Sequence, residues 1–347
     1  MPTDPPYRWL LDDAVLARAR RLLDALRSGE AQPGGRLAAE LEGGLPSSAE
    51  ALVAALLRTK QTCIFAESEI RGDGSDWTSE EVGLMGDISC LVPVTVFDDG
   101  RWDRPRVHEP PFSAHLLFVP SALMHDHQAA PAADRLEVAP QGRLDAAAYG
   151  RLYARRLRPV FDAIEAVARA AGKGAVVTLP GLGCGAFAGA FRGQLGALLA
   201  ECLHEFLASQ AERWPSLRLV HFDPHHGLEA ASWRIGDDLV YRIRPLCGAG
   251  GHPQLSRVEV LDEDAGRLSG CHLFSLVAWD HVSWPGNDFY GGSRNTDDGV
   301  KAAATDSMYR MTGVRGQYDP HRYQYRPPQG YGTWGELVRH RGIRLRT

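Results

Sequence analysis

The chain has 347 residues, 44% of them hydrophobic and 23% charged, with a net charge of −5. This is globular composition, long enough to bury a large core in one large domain or in a core domain with extensions. It excludes a chain-wide basic footprint for nucleic acid, and no run reaches the ~20 apolar residues of a membrane span.

The acids and arginines of residues 1–23 do not make the apolar stretch of a secretory signal. A cytoplasmic protein is therefore expected, with neither nucleic acid nor membrane as partner, and an injected effector stays open. Six cysteines without a CxxC pair are expected as reduced thiols. Of 38 basic residues only Lys60, Lys173 and Lys301 are lysines, a bias spread along the whole chain and read as no signal of function.

Apolar residues at helical spacing predict helices over 8–30 and 35–58, separated by AQPGG. Residues 1–60 thus read as a helical N-terminal extension, and 61–347 as the main domain. Short β-rich runs follow at CIFA (63–66), LVPVTVF (91–97) and AHLLFVP (114–120). A loop over 125–142 leads into a long amphipathic helix (147–172) and a buried strand (174–180). After the Gly-rich turn GLGCGAFAG (181–189) come a helix (193–213) and a strand (217–224). Further strands are expected at 239–244, 257–261 and 272–279. This alternation predicts an α/β fold, a mixed sheet sandwiched by helices with some parallel pairing. The final ~70 residues are irregular and too poor in aliphatic side chains for a core of their own, a pattern that points to function.

Gly181, Gly183, Gly185 and Gly189 lie between a strand and a helix, where glycines allow close approach and helix-start amides favour an anion. The spacing is neither a Walker A loop nor a Rossmann fingerprint. The string LPGLGCGAFAG resembles the phosphate loop of macrodomains, especially the GCGAFGG string of poly(ADP-ribose) glycohydrolases. The resemblance implies a macrodomain-like fold whose loop wraps the diphosphate of ADP-ribose. It gives substrate-binding roles to Gly183, Cys184, Gly185, Ala186, Phe187 and Gly189, with Phe187 against the distal ribose. MGDIS (85–89) before a strand is similar to the macrodomain opening, which makes Asp87 either an adenine ligand or a plain turn aspartate. Phe222, at the end of a strand, is either an adenine-stacking ring or a core residue. Both glycohydrolase glutamates and the Asn-Ala-Ala-Asn string of ordinary macrodomains are missing, so catalytic carboxylates must come from elsewhere.

The stretch 279–308, WDHVSWPGNDFYGGSRNTDDGVKAAATDSM, supplies Asp280, Asp288, Asp297, Asp298 and Asp306 among aromatic and turn residues. Carboxylates held together repel unless a cation or shared protons offset them, so the pattern points to cation recognition or acid/base chemistry. An EF-hand spacing is absent, and neither HDH (125–127) nor PHH (224–226) has the further ligands that zinc needs. WDH-x3-PGND followed by R-x-TDDGVKAAATD resembles the arginine-specific, MavL-type macrodomain hydrolases, which remove ADP-ribose from arginine, including arginine of ubiquitin. The resemblance implies a metal-independent, cofactor-free hydrolase acting on mono-ADP-ribosylated protein. Asp288 and Asp298 would do the main work with their roles undivided, supported by Asp280; Asp297 would bind substrate or only cap a helix. A guanidinium is planar, cationic and matched to carboxylates, which suits such a cluster. A non-catalytic ADP-ribose reader, or a hydrolase of another ADP-ribose linkage, is the alternative. Cys184 as a nucleophile and His281 as an acid are weaker readings than packing roles.

Overall fold

A computed structural model of the chain describes residues 6–63, 70–125, 132–224, 227–245, 253–263 and 266–347. Among these, eight strands form one mixed sheet in the order β1-β2-β3-β8-β4-β5-β7-β6. β3 (Val107–Pro120), β8 (His272–Trp279), β4 (Ala175–Pro180), β5 (Leu217–Asp223) and β7 (Leu239–Ile243) are mutually parallel. β1 (Arg8–Leu10), β2 (Ser89–Asp98) and β6 (Ala231–Ile235) are antiparallel additions at the two sides.

Alternation along the central strands buries both faces of the sheet, as parallel sheets require. Leu117, Val177, Leu179, Phe274 and Leu276 point to one side, into a core closed by α6 (Ala146–Ala170) and α7 (Leu195–Gln210). Leu116, Phe118, Val176, Leu273 and Val277 point to the other. That face is covered by α8 (Asn287–Tyr290), α9 (Asp297–Ala303), α10 (Ser307–Thr312) and α11 (Trp334–Arg341). The C-terminal residues contribute Phe289, Met308, Trp334 and Leu337 to this second core, so a segment too poor in aliphatics to fold alone completes the sandwich.

The N-terminal helices are α1 (Asp13–Ser28), α2 (Gly35–Glu40) and α3 (Ala49–Thr59). Asp12 caps α1 by accepting from the Ala14 amide, and Gly29 ends it in the left-handed conformation. Two expectations are corrected here. Arg8–Leu10 is the edge strand paired with Ser89–Leu91, not the first turn of a helix, because cross-strand pairing overrides the local apolar pattern. The helix expected over 35–58 is two helices, broken by Gly43, Gly44 and Pro46. α1 to α3 share a third apolar cluster with α4 (Ser79–Met85), Leu123 and Val282, so the helical segment is joined to the sheet through its own core.

The RVEVL run is also corrected: Val258–Leu261 forms a 3₁₀ turn that packs Val258 and Leu261 on the second sheet face. β6, with three exposed residues, carries too weak an alternation to be foreseen. CIFA lies outside the described residues apart from Cys63. None of the described cysteines forms a disulfide. Among the described residues no helix is long and apolar enough to cross a membrane.

Candidate active site

Because β3, β8 and β4 are adjacent and parallel, the segments that follow them emerge side by side at one sheet edge. These are Ser121–His125 after β3, Asp280–Ser283 after β8 and Gly181–Gly189 after β4. Open α/β sheets bind ligands at the carboxyl ends of their strands. Each of the two motifs singled out from the sequence contributes one of these segments.

The Gly-rich loop is locked onto the β3 loop. Tyr153 donates to the Leu182 carbonyl (2.7 Å) and accepts from the Ala122 amide (3.1 Å), and the Met124 amide donates to the Phe187 carbonyl (2.8 Å). Gly183, at φ +71°, has no room for a side chain: a Cβ would stand 2.8 Å from the Ala122 carbonyl oxygen. Gly185 and Ala186 are exposed at the start of the 3₁₀ turn Ala186–Phe191, whose first amides lack partners within the turn. Phe187 packs against the cluster that holds Leu123 and Val282, and so reaches toward the acidic segment. Burial pushes the Cys184 thiol up to about 12, which makes it a poor nucleophile; its S–H faces the Leu182 carbonyl.

The structure brings Asp280, Asp288 and Asp298 together, each no more than 5% exposed. Asp280 ends β8 and accepts from the amides of Val282 and Ser283 (both 2.7 Å) and from the Ser283 hydroxyl, which orders the turn. Asp288 opens α8 and Asp298 lies in the first turn of α9. Between these two sits Thr296, its Oγ1 2.9 Å from Asp288 Oδ2 and 3.0 Å from Asp298 Oδ1. Gly299 permits this approach, for a Cβ there would lie 3.1 Å from that of Asp288 and 2.8 Å from the Ser293 carbonyl oxygen.

A threonine hydroxyl has one proton and cannot donate to two carboxylates at once. One of the pair must therefore carry its own. The environment selects Asp298: burial and then the negative Asp280, with Asp288 adding to both, hold its carboxyl well above the usual range, against the Thr296 hydroxyl and the Asp288 amide. Among the described residues none of the three aspartates forms an ion pair with arginine or lysine.

Three nearby groups carried no warning in the sequence. Lys60, the last residue before the chain leaves α3, is buried; its Nζ donates to the His281 carbonyl and lies 4.3 Å from the Trp279 ring centre. Tyr290 is buried with an unpartnered hydroxyl, and burial, then Tyr7 and Asp298, push its ionisation well upward, so it remains a phenol. Thr296 caps α9 and also bridges the carboxylates.

The other sequence candidates are engaged with partners outside the acidic trio. Asp87 is fully buried in an ion-pair cluster, accepting from Arg18 (2.7 Å), Arg155 (2.8 Å) and Arg156 (3.0 Å). Its oxygens are directed at guanidinium groups, which gives it an architectural task. Phe222 is fully buried in the core under α6 and α7, with no ring face open to a base. Asp297 accepts from the Ala278 amide (2.8 Å) and pairs with buried Lys301 (3.0 Å), tying α9 to β8. Asp306 accepts from the Thr95 amide and anchors α10 to β2. His281 pairs with Asp134 (3.1 Å), not with the acidic trio. Among the described residues no three His, Cys, Asp or Glu side chains are grouped to hold a metal ion. Residues 126–127 and 225–226 of the His-rich strings lie outside the described residues.

A central mixed sheet flanked by helices, with loops gathered at the carboxyl ends of its parallel strands, defines a macrodomain-type α/β protein. A family model described as macrodomain effector MavL matches residues 7–331, and the chain belongs to that family. It is thereby placed among ADP-ribose binders and hydrolases. No curated protein matches the chain.

Proposed function

We propose that this chain hydrolyses ADP-ribosyl-arginine in proteins, with the Gly-rich loop 181–189 holding the diphosphate and the aspartate trio acting at C1″ of the distal ribose. The observation that carries the reading is the placement of the Thr296 hydroxyl between the Asp288 and Asp298 carboxyl groups, within hydrogen-bond distance of both. A buried, anionic, unpaired cluster suits a guanidinium, whose planar fork matches carboxylate oxygens.

The roles divide by protonation. Asp288, ionised, takes a proton from water as the water oxygen bonds to C1″. The C1″–N bond breaks with its electron pair passing to the guanidine nitrogen, and Asp298 supplies the proton that restores a guanidinium on the leaving arginine. The proton gained by Asp288 then returns to Asp298 through the Thr296 hydroxyl, and the site is reset. Asp280 stabilises positive charge on the oxocarbenium-like ribose. Paired carboxylates in glycosidases divide labour comparably.

The test is release of free ADP-ribose from ubiquitin modified on arginine and from a protein modified on glutamate, without added metal. Turnover of the arginine substrate alone is expected. Tight ADP-ribose binding without turnover of either makes the chain a reader, and preference for the glutamate ester overturns the assignment of linkage.

A further inference from the structure

We propose that Lys60, on the N-terminal helical segment, is a positioning residue of the acidic site: it fixes the turn bearing Asp280 and sets an ammonium group beside it. The inference rests on the hydrolase reading for its kinetic consequence but not for its geometry. The chain around Lys60 is bonded to the turn after β8 along its whole length. The Gln61 amide donates to the Val282 carbonyl (2.8 Å), the Trp284 amide to the Gln61 carbonyl (2.7 Å), and the Trp284 indole to the Lys60 carbonyl (3.0 Å). The Lys60 ammonium closes this ladder on the His281 carbonyl and is stacked over Trp279. Trp279 and His281 are the two neighbours of Asp280 in the chain, so Asp280 is held between the two contacts.

The titratable groups facing Lys60 are Asp280, from the turn after β8, and Cys90, from β2. Behind them stand Tyr7, ahead of β1, then Tyr290 on α8 and Asp298 on α9. Burial pushes the Cys90 thiol and the Tyr290 phenol upward, which keeps both neutral and leaves Asp280 as the anion that Lys60 meets. Burial also lowers Lys60 to about 7, against the pull of Asp280. Asp280 therefore stands between two coupled groups: its negative charge favours the protonated Lys60 on one side and the protonated form of Asp298 on the other.

With only three lysines in the chain, ¹⁵N-lysine labelling gives a readable Nζ signal for each, and the Lys60 signal can be titrated in the folded protein. The expected midpoint is near 7, moving down by about one unit or more in Asp280→Asn, as loss of a close opposite charge requires. In Lys60→Met the acid limb of kcat/KM moves up by about one unit, as loss of a positive charge beside the acidic cluster requires. That is roughly a tenfold loss at its foot, and Lys60→Arg restores the limb. A wild-type protein inert on every ADP-ribosyl substrate, with the Lys60 signal still moved by Asp280→Asn, sinks the hydrolase reading and leaves the coupling standing. A Lys60 signal titrating in the ordinary lysine range and indifferent to Asp280→Asn overturns the proposal, even if Lys60→Met fails to fold.

Discussion

Two groups of buried charge lie at the same edge of the sheet, and they are solved in opposite ways. Around Arg156, every charge has an opposite: its guanidinium meets Asp87 at 3.0 Å and Asp134 at 2.6 Å, and Arg18 and Arg155 complete Asp87. Around Asp298 the charges are alike, and a proton and a threonine hydroxyl stand where a guanidinium stands in the other cluster. Burying a charge without a partner is costly. The first group returns that cost as architecture, joining α1, α4, α5 (Ala133–Val138) and α6. In the proposed reading, the second holds it for a ligand that brings the missing positive charge.

The sharpest way to break this contrast is to remove one carboxylate from each side. Asp298→Ala is expected to lower the hydrolysis rate by at least ~10²-fold, the scale of one acid/base group, while its melting temperature equals or exceeds that of wild type. A rate close to wild type, or loss of the fold, refutes the role. Arg156→Met is expected to cost about 3–5 kcal/mol in urea unfolding, because two buried carboxylates lose their partner; an unchanged midpoint would make the arginine cluster dispensable.

The pH dependence of stability separates the clusters by sign. Burial pushes the Asp134 carboxyl up, but Arg156, His281 and the Leu123 amide outweigh it and the net shift is downward. Its stabilisation is present above the ordinary carboxylate range and is lost as pH falls through the lowered value. Asp298 is raised, so its contribution is complete below the ordinary range and is lost as pH rises through the raised value. Denaturation across pH should therefore show Asp298→Asn removing a decline on the alkaline side and leaving the acid decline in place. The smallest expected effect belongs to Cys184: with its thiol raised to about 12, Cys184→Ser leaves the rate unchanged and iodoacetamide at neutral pH does not inactivate through it. Inactivation that the serine variant abolishes would contradict this.

The parts legible in the sequence are those whose signal is local. The 3.6-residue period of α6, the apolar runs of β4 and β8 and the Gly-rich turn between strand and helix each act over a few residues. The three aspartates were readable because their spacing falls in one continuous block. Lys60 was not, for it stands 221 positions from the carbonyl it holds, and an isolated lysine at a helix end announces nothing. Two of the three lysines, Lys60 and Lys301, are buried against the end of β8 and the turn beyond it, each donating to a backbone carbonyl there. The Thr296 bridge was not read either, since its reach to Asp288 depends on how α8 and α9 pack.

The position of β8 has a consequence for how the protein comes into being. Its central place, between β3 and β4, is taken by residues 272–279, long after both neighbours have left the ribosome. Until then the two halves of the sheet have no common strand, and their edges are open to wrong pairing or aggregation. Pairings so distant in the chain also form slowly. The glycine loop is therefore synthesised early, and the acidic segment follows late, beginning when a single strand closes the sheet and delivers Asp280 to the edge.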